Sequence, residues 1–184
     1  MSTSRPQLIN TQDCCLVIID AQQRLLPAIW ENQRVQENLV RLAQFSRIVS
    51  LPVVLSLQQK LGDTIEPLAQ ALPGAPAVSK LSFDCFGEET FVQHLESLGR
   101  GTLLIAGVEA HICVTQTALT GLDRGYRVQV VSDAVSSRDP RNLEVALRRL
   151  EAAGVELTST EMLIYELLRR AGTPEFKQVL PLVK

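Results

Sequence analysis

Short apolar runs with strand-type composition alternate six times with segments of helical periodicity along this sequence. The apolar runs are rich in Val, Ile and Leu, and the first is apolar on both faces, as expected for a strand inside a parallel sheet. The predicted strands are 14–20, 53–57, 77–80, 102–106, 127–132 and 155–158. Such alternation predicts an α/β fold in which helices cover both faces of a parallel sheet.

The segments between these runs have apolar residues at helical spacing or recognisable helix-ending signals. The predicted helices are 35–51, 65–72, 88–98, 115–124, 140–153 and 160–171. Asp139 is expected to cap the fifth helix, and residues 172–184 to form a tail interrupted by Pro174 and Pro181. Because no repeat or linker divides the chain, we predict one α/β/α three-layer domain over residues 1–184. Its six-stranded parallel sheet should have the Rossmann-like order 3-2-1-4-5-6.

The composition disfavours several classes of partner. The net charge is −2 and only 4% of residues are aromatic, so neither a nucleic acid nor an anionic membrane is an expected partner. No apolar run is long enough to span a membrane, and residues 1–6 lack an apolar signal core, so the expected location is cytoplasmic. The four cysteines include no Cys-x-x-Cys pair, and we expect neither a disulfide framework nor a zinc cluster.

Three ionisable residues, Asp20, Lys80 and Cys113, lie at or just past the carboxyl ends of predicted strands. Ligands of open α/β sheets bind beyond these ends, so the fold can bring the three residues into one crevice. A lysine ammonium can stabilise a thiolate, while a carboxylate can accept the thiol proton and later protonate a leaving group. The plainer interpretation is a buried Asp–Lys ion pair beside an inert cysteine.

Cys113 lies where the fourth strand has ended and the next helix begins. Helix N-termini carry a partial positive charge, which favours a thiolate, and the thiolate is the nucleophilic form. Together with Lys80, this position predicts that Cys113 ionises near neutral pH. It should then be alkylated faster than Cys14, Cys15 and Cys85.

Three motifs carry a family resemblance: Leu16-Val-Ile-Ile-Asp20-Ala-Gln22, Val78-Ser-Lys80-Leu-Ser-Phe83 and Gly107-Val-Glu-Ala-His-Ile-Cys113-Val-Thr-Gln-Thr-Ala118. Segments 125–138 and 158–162 fit the same pattern. In the order and spacing of these motifs, residues 13–171 resemble the isochorismatase-like hydrolase superfamily. The cysteine-hydrolase branch, with its small isochorismatase-domain proteins, is the most similar.

The resemblance implies a catalytic triad of Asp20, Lys80 and Cys113. It also implies an oxyanion hole formed by the backbone N–H groups of Glu109 and Cys113, with a cis peptide bond between Val108 and Glu109. The expected reaction is hydrolysis of a carbon–nitrogen bond in a small amide or ureide through a thioester intermediate.

The sequence departs from the family pattern in ways that bear on cofactors and substrate. Metal-binding nicotinamidases have an Asp-x-His pair after the second strand, whereas residues 56–60 read Ser-Leu-Gln-Gln-Lys, so we expect no metal and no other cofactor. An aromatic residue that often follows the first aspartate is matched here by Leu25. Gln22, Leu25, Ser82 and Phe83 are candidate pocket residues, and each is as readily explained by packing.

Two other classes of function remain open at this point. The chain could be a non-catalytic binding or scaffold protein that retains the fold, or a thiol redox sensor that uses Cys113 with Cys85 as a resolving thiol. The last predicted helix also has a broad apolar surface, which predicts a homo-oligomer, a dimer or larger. That surface consists of Met162, Leu163, Ile164, Leu167 and Leu168.

Overall fold

The computed structural model describes residues 7–184, which form a six-stranded parallel sheet with helices packed on both faces. Residues 1–6, on which the expectation about a signal segment rests, lie outside the described residues. The strands are β1 (Cys14–Ile19), β2 (Val53–Gln58), β3 (Ala77–Lys80), β4 (Thr102–Val108), β5 (Arg127–Ser136) and β6 (Glu156–Thr158). They lie in the order β3-β2-β1-β4-β5-β6, which confirms the predicted topology.

The helices are α1 (Asn32–Ile48), α2 (Glu66–Ala71), α3 (Glu89–Leu98), α4 (Thr115–Asp123), α5 (Pro140–Ala152), α6 (Thr160–Leu168) and α7 (Pro174–Val183). Single 3-10 turns occur at Leu26–Ala28 and Cys85–Gly87, and a π-helical turn at Ala110–Val114 leads into α4. Asp139 caps α5 through its side chain, which accepts a hydrogen bond from the Arg141 N–H, as predicted. Within residues 7–184, no helix combines the length and apolar character needed to cross a bilayer.

β1 separates two apolar cores. Its side chains alternate between the faces of the sheet, so Leu16 and Ile18 belong to one core and Val17 and Ile19 to the other. Buried residues of α1, α2, α6 and α7 complete the first core, and those of α3, α4 and α5 complete the second. This double burial explains why the strand has no polar face in the sequence.

Gly107 lies near the end of β4, against the neighbouring strand β1. Its φ angle is +111°, and a Cβ atom at this position would lie 2.0 Å from the carbonyl oxygen of Ile19. A side chain is therefore excluded by contact with backbone as well as by conformation. This close approach allows β1 and β4 to remain paired up to Ile19, the residue before Asp20.

The carboxy-terminal segment differs from its prediction. The helix expected over 160–171 ends at Leu168, and the expected tail contains the helix α7. The Thr173 hydroxyl caps α7, Pro174 lies in its first turn, and Val179 is buried in the first core. Pro181 lies in the last turn of α7, and a proline near the end of a helix removes few hydrogen bonds.

Strands β4 and β5 also run further than predicted. β4 continues to Val108, and β5 continues to Ser136 instead of ending at residue 132. A register irregularity in the β4–β5 pairing lets the strands resume at Gly107–Val135 after leaving at Ile105–Val130. The extension brings the start of the next loop beside the turn that follows β4.

Candidate active site

Asp20, Lys80 and Cys113 meet at the carboxyl edge of the sheet. Asp20 directly follows β1, Lys80 is the last residue of β3, and Cys113 lies in the π-helical turn after β4. The Lys80 Nζ atom lies 2.8 Å from Asp20 Oδ2 and 3.5 Å from Cys113 Sγ. Lys80 thus contacts both of the other side chains that the sequence placed at strand ends.

Asp20 is held from two sides. The Ser56 hydroxyl, on β2, donates a hydrogen bond of 2.8 Å to Asp20 Oδ1, and the Lys80 ammonium contacts Oδ2. The Asp20 backbone has a φ angle of +50°, in the left-handed region that aspartate enters more readily than most residues. The carboxylate is fully buried, and each of its oxygen atoms has a polar protein partner in place of water.

The Lys80 ammonium is also fully buried and makes three further polar contacts around the ion pair. It donates to Gln58 Oε1 at 2.6 Å and to the Ser82 carbonyl oxygen at 3.3 Å, besides contacting Asp20 and the Cys113 sulfur. Burial alone would lower the pKa of Lys80, but the Asp20 carboxylate more than offsets this and raises that pKa above its ordinary value. Lys80 is therefore a fixed positive charge inside the site.

Cys113 is largely buried, with 6% of its surface exposed. Burial and the adjacent Asp20 carboxylate raise the pKa of the Cys113 thiol to about 12, while Lys80 acts in the opposite direction. This shift is opposite in direction to the ionisation near neutral pH that the sequence predicted. Its physical reason is that Cys113 lies inside a desolvated turn, where the charge of Lys80 is already compensated by Asp20.

The turn between β4 and Cys113 is fixed at several points. The Val108–Glu109 peptide bond, expected to be cis, is cis. The Glu109 carbonyl oxygen accepts hydrogen bonds from the N–H groups of Ile112 and Val114, at 3.1 Å and 3.3 Å. The Glu109 carboxylate accepts from the Arg138 N–H at 2.9 Å and from its guanidinium at 3.1 Å. Both the backbone and the side chain of Glu109 are therefore anchored.

Gln22 and Leu25, two of the candidate pocket residues, have structural contacts. The Gln22 side-chain amide donates to the carbonyl oxygens of Gln58 and Gly62, at 3.0 Å and 2.6 Å, and accepts from the Gln58 N–H at 2.8 Å. Leu25 is half-buried and packs against the first core. Both N–H groups of the Gln22 amide are thus engaged by backbone, which favours the packing interpretation of this residue.

Ser82 and Phe83 lie in the loop after β3. Ser82 contacts Lys80 through its backbone carbonyl, and its N–H donates to Glu88 Oε1 at 3.3 Å. Phe83 is 53% exposed and Leu81 is 69% exposed, on either side of Ser82. The loop therefore contributes a carbonyl to the lysine and leaves two large apolar side chains facing solvent.

Sequence reasoning missed Ser56 and Gln58, which bind Asp20 and Lys80. Ser56 and Gln58 alternate along β2, the strand between β1 and β3. A polar residue at every second position near the carboxyl end of a central strand was the available signal. A further missed contact joins His111 Nδ1 to the Ser137 hydroxyl at 2.9 Å, which links the Cys113 turn to the end of β5.

Metal coordination is not supported by the side chains present. Among residues 7–184, no group of three or more His, Cys, Asp and Glu side chains is arranged to hold a metal ion. The donor atoms nearest to Asp20 are the Ser56 hydroxyl and the Lys80 ammonium, and an ammonium is itself a cation.

Comparison with known proteins gives a consistent picture. Residues 14–162 match the family model described as the isochorismatase domain. The secreted isochorismatase effector Isc1 of Phytophthora sojae is 35% identical over 190 residues, which cover 100% of this chain and 90% of that protein.

Several solved structures have the same fold as this chain. The MAR1 ribonuclease of Caenorhabditis elegans is 31% identical with a TM-score of 0.90, over 96% of this chain and 92% of that one. YcaC of Pseudomonas aeruginosa, solved with hexane-2,5-diol and covalent acrylamide, is 26% identical with a TM-score of 0.91, over 98% and 93%. YcaC of Escherichia coli, described as an octameric hydrolase of unknown specificity, is 25% identical with a TM-score of 0.86, over 91% and 85%.

Proposed function

Because the chain belongs to the isochorismatase family, we propose that it is a cysteine hydrolase that cleaves the carbon–nitrogen bond of a small amide or ureide. One observation carries the proposal: the buried Lys80 ammonium contacts both the Cys113 thiol and the buried Asp20 carboxylate, and so holds the two side by side. A nucleophile next to a base, with a third group orienting that base, is the arrangement that covalent catalysis requires.

In the first half of the reaction, Cys113 Sγ attacks the carbonyl carbon as its proton moves to Asp20. The tetrahedral oxyanion then collapses, the carbon–nitrogen bond breaks, and Asp20 returns the proton to the leaving amine. In the second half, water attacks the thioester and gives a proton to Asp20, and the departing Cys113 sulfur takes that proton back. The raised pKa of the resting Cys113 thiol fits this order of steps, because the thiolate forms only as the proton passes to Asp20.

Two backbone N–H groups, those of Glu109 and Cys113, are proposed to bind the oxyanion. Glu109 lies between β4 and the π-helical turn, and no hydrogen bond from its N–H to a protein acceptor is found within residues 7–184. Donors that are fixed before the reaction stabilise a developing oxyanion without reorganising. The anchoring of the Glu109 side chain by Arg138 supports such a fixed position.

Lys80 is proposed to balance charge throughout the cycle. Before attack the site holds a carboxylate, an ammonium and a neutral thiol; after proton transfer it holds a neutral acid, an ammonium and a thiolate. The net charge is zero in both states, so the proton moves between Cys113 and Asp20 without creating an uncompensated buried charge.

A screen for released ammonia tests the proposal. The wild-type protein, with panels of primary amides and N-carbamoyl compounds, should release ammonia from at least one compound, and Cys113→Ser should release none. Cys14→Ala removes a buried thiol far from the site and should retain the wild-type activity. Activity that survives Cys113→Ser would overturn the proposal, as would failure of acrylamide, the adduct found in one YcaC structure, to modify Cys113.

The alternative classes can be separated by the same preparations. One similar structure is called a ribonuclease, but a net charge of −2 provides little attraction for a phosphate backbone. Cleavage of an RNA oligonucleotide by the wild type and not by Cys113→Ser would replace amide hydrolysis as the function. A redox sensor needs a readily ionised thiol, and a Cys85–Cys113 disulfide after peroxide treatment would favour that function instead.

We also propose a homo-oligomer, a dimer or larger. On α6, Leu163, Ile164 and Leu167 are buried in the first core, whereas Met162 and Tyr165 are 61% and 41% exposed and remain available to another subunit. The octameric YcaC of Escherichia coli supports assembly. Light scattering should give a mass well above the 20.3 kDa of one chain; a mass equal to it would contradict the proposal.

The cytoplasm is the proposed location. All four cysteines are free and buried, which fits a reducing compartment. The similar Phytophthora protein is named as secreted, so fractionation of the source cells is the deciding measurement, and recovery of the protein in the medium would contradict this location.

A further inference from the structure

We propose that Gln58 is a positioning residue for the reaction, which holds the Lys80 ammonium between Asp20 and Cys113 while adding no charge to the site. This inference rests on the proposed function for its biological meaning. Its geometric basis, the contacts among Gln22, Gln58 and Lys80, is independent of any substrate.

Gln58 and Lys80 are neighbours across the sheet. Gln58 ends β2 and Lys80 ends β3, and the two residues are register partners in the parallel pair. Gln58 Oε1 accepts from Lys80 Nζ at 2.6 Å, and Gln58 Nε2 donates to the Leu81 carbonyl oxygen at 3.0 Å. The amide orientation is fixed by these partners, because a flip would place an N–H group against the ammonium and an oxygen against a carbonyl.

Gln58 is itself held by Gln22. The Gln22 side chain donates to the Gln58 carbonyl oxygen and accepts from the Gln58 N–H, which are the two backbone hydrogen bonds that a paired strand would otherwise make. Gln22 lies two residues after Asp20. The Gln58 backbone is therefore fixed relative to Asp20 through Gln22, and its side chain is fixed relative to Lys80 and the following loop through its own amide.

Neutrality is the property that a glutamine supplies here. The charged and titratable groups around Cys113 and Lys80 are Asp20 after β1, Lys80 on β3, Cys85 after β3, Glu109 and His111 in the turn after β4, and Arg138, the ion-pair partner of Glu109, after β5. A carboxylate at position 58 would compete with Asp20 and the thiolate for the ammonium. The site would then carry a net negative charge, which disfavours ionisation of Cys113.

The test is the pH dependence of Cys113 alkylation, which needs no substrate. Iodoacetamide labelling of Cys113 in the full-length protein, followed by mass spectrometry, gives a rate at each pH for the wild type and for Gln58→Glu. We expect Gln58→Glu to move the profile at least about one pH unit upward, a tenfold slower reaction at a given pH. Gln59→Glu is the matched control, because Gln59 is exposed, and its profile should equal that of the wild type.

The outcomes decide the proposal in each case. Equal profiles for Gln58→Glu and Gln59→Glu, with both proteins folded by circular dichroism, would overturn it. If Gln58→Glu does not fold, Gln58→Met is measured instead: it keeps the volume and removes the acceptor, and slower labelling at every pH supports positioning, while a wild-type rate overturns it. A shifted profile in a protein without amidase activity would refute the proposed function alone, and an unchanged profile in an active amidase would refute positioning alone.

Discussion

Cys14 and Cys113 are two buried thiols at opposite ends of neighbouring strands in the same sheet. Cys14 begins β1, while Cys113 follows the carboxyl end of β4. Burial is the main cause that raises the pKa of each to about 12. Yet only Cys113 contacts an ammonium, at 3.5 Å, with a carboxylate beside it that can take its proton.

The comparison shows that acidity alone does not distinguish a nucleophile from a core residue. Near Cys14, the charged neighbour Asp13 raises the thiol pKa further, and its carboxylate is occupied by hydrogen bonds from Gly101 and Thr102. Near Cys113, the carboxylate is paired with Lys80, which keeps the local charge balanced when the proton moves. The partners of a thiol, rather than its pKa, determine what it can do.

Substituting each thiol by alanine gives the largest expected contrast. Cys113→Ala should reduce hydrolysis by roughly a thousandfold or more, because no other group can form the thioester. Cys14→Ala should leave kcat/KM unchanged and lower the free energy of unfolding by about 1 kcal/mol, since it removes a fully buried sulfur. Steady-state kinetics measure the activity of both variants, and urea unfolding measures their stability. Comparable activity losses in the two variants would contradict the prediction.

Removing the Lys80 ammonium tests how much the ion pair beside Cys113, which has no counterpart beside Cys14, contributes to stability. Lys80→Met leaves the buried Asp20 carboxylate without its cation, and should lower the free energy of unfolding by roughly 3–5 kcal/mol. The double variant Asp20→Asn/Lys80→Met removes both charges and should recover much of this stability, but no activity. Urea unfolding of the wild type, the single and the double variant provides the answer; a double variant less stable than Lys80→Met would show that the ion pair is not the cause.

Alkylation kinetics sharpen the comparison at the level of the free thiols. Cys113 is 6% exposed, whereas Cys14 and Cys15 are fully buried and react only when the sheet opens, so Cys113 should be labelled at least about tenfold faster. Because its pKa is raised to about 12, its rate should keep rising with pH and show no plateau near neutrality. A plateau near neutral pH in mass-spectrometric rate measurements would restore the helix-terminus thiolate that the sequence predicted.

The buried thiols also affect stability at alkaline pH. The folded-state pKa values of Cys14 and Cys15 are raised from 9.0 to about 12, so the folded protein retains protons that the unfolded chain releases. The stabilisation is complete below pH 9.0 and is lost as the pH rises through the folded-state values, by about 1.4 kcal/mol per pH unit for each thiol. Urea unfolding from neutral to alkaline pH should show a weaker decline in Cys14→Ala/Cys15→Ala, and an identical decline would exclude these thiols.

The sheet was predictable because its signals are local. β1 is apolar at every position, and Pro140 after Asp139 marks a helix start without reference to the rest of the chain. The limits of the prediction also have physical causes. α7 was missed because Pro181 was weighed without its position in the helix, and the end of β5 was missed because its pairing resumes after an irregularity with β4.

At the candidate site, the sequence located the charged residues but not their neutral partners. Asp20 and Lys80 are conspicuous after apolar strands, whereas Ser56 and Gln58 resemble ordinary strand residues until the strand order places them between the two. The protonation of Cys113 was unpredictable for a related reason. A helix start can be read from sequence, but desolvation by distant segments cannot.

The alternation of β1 between two cores has a consequence for the permitted lengths of this chain. Deleting one residue within β1 would move every side chain before the deletion to the opposite face of the sheet, if Asp20 kept its place. If those side chains kept their places instead, Asp20 would shift by about 3.3 Å, enough to break its 2.8 Å contact with Lys80. The same strand register therefore determines both the packing of β1 and the position of Asp20 in the site. Insertions are better accommodated in connecting segments, such as the exposed turn at Pro73 and Gly74 between α2 and β3, where a Cβ atom added at Gly74 would meet nothing within 4 Å.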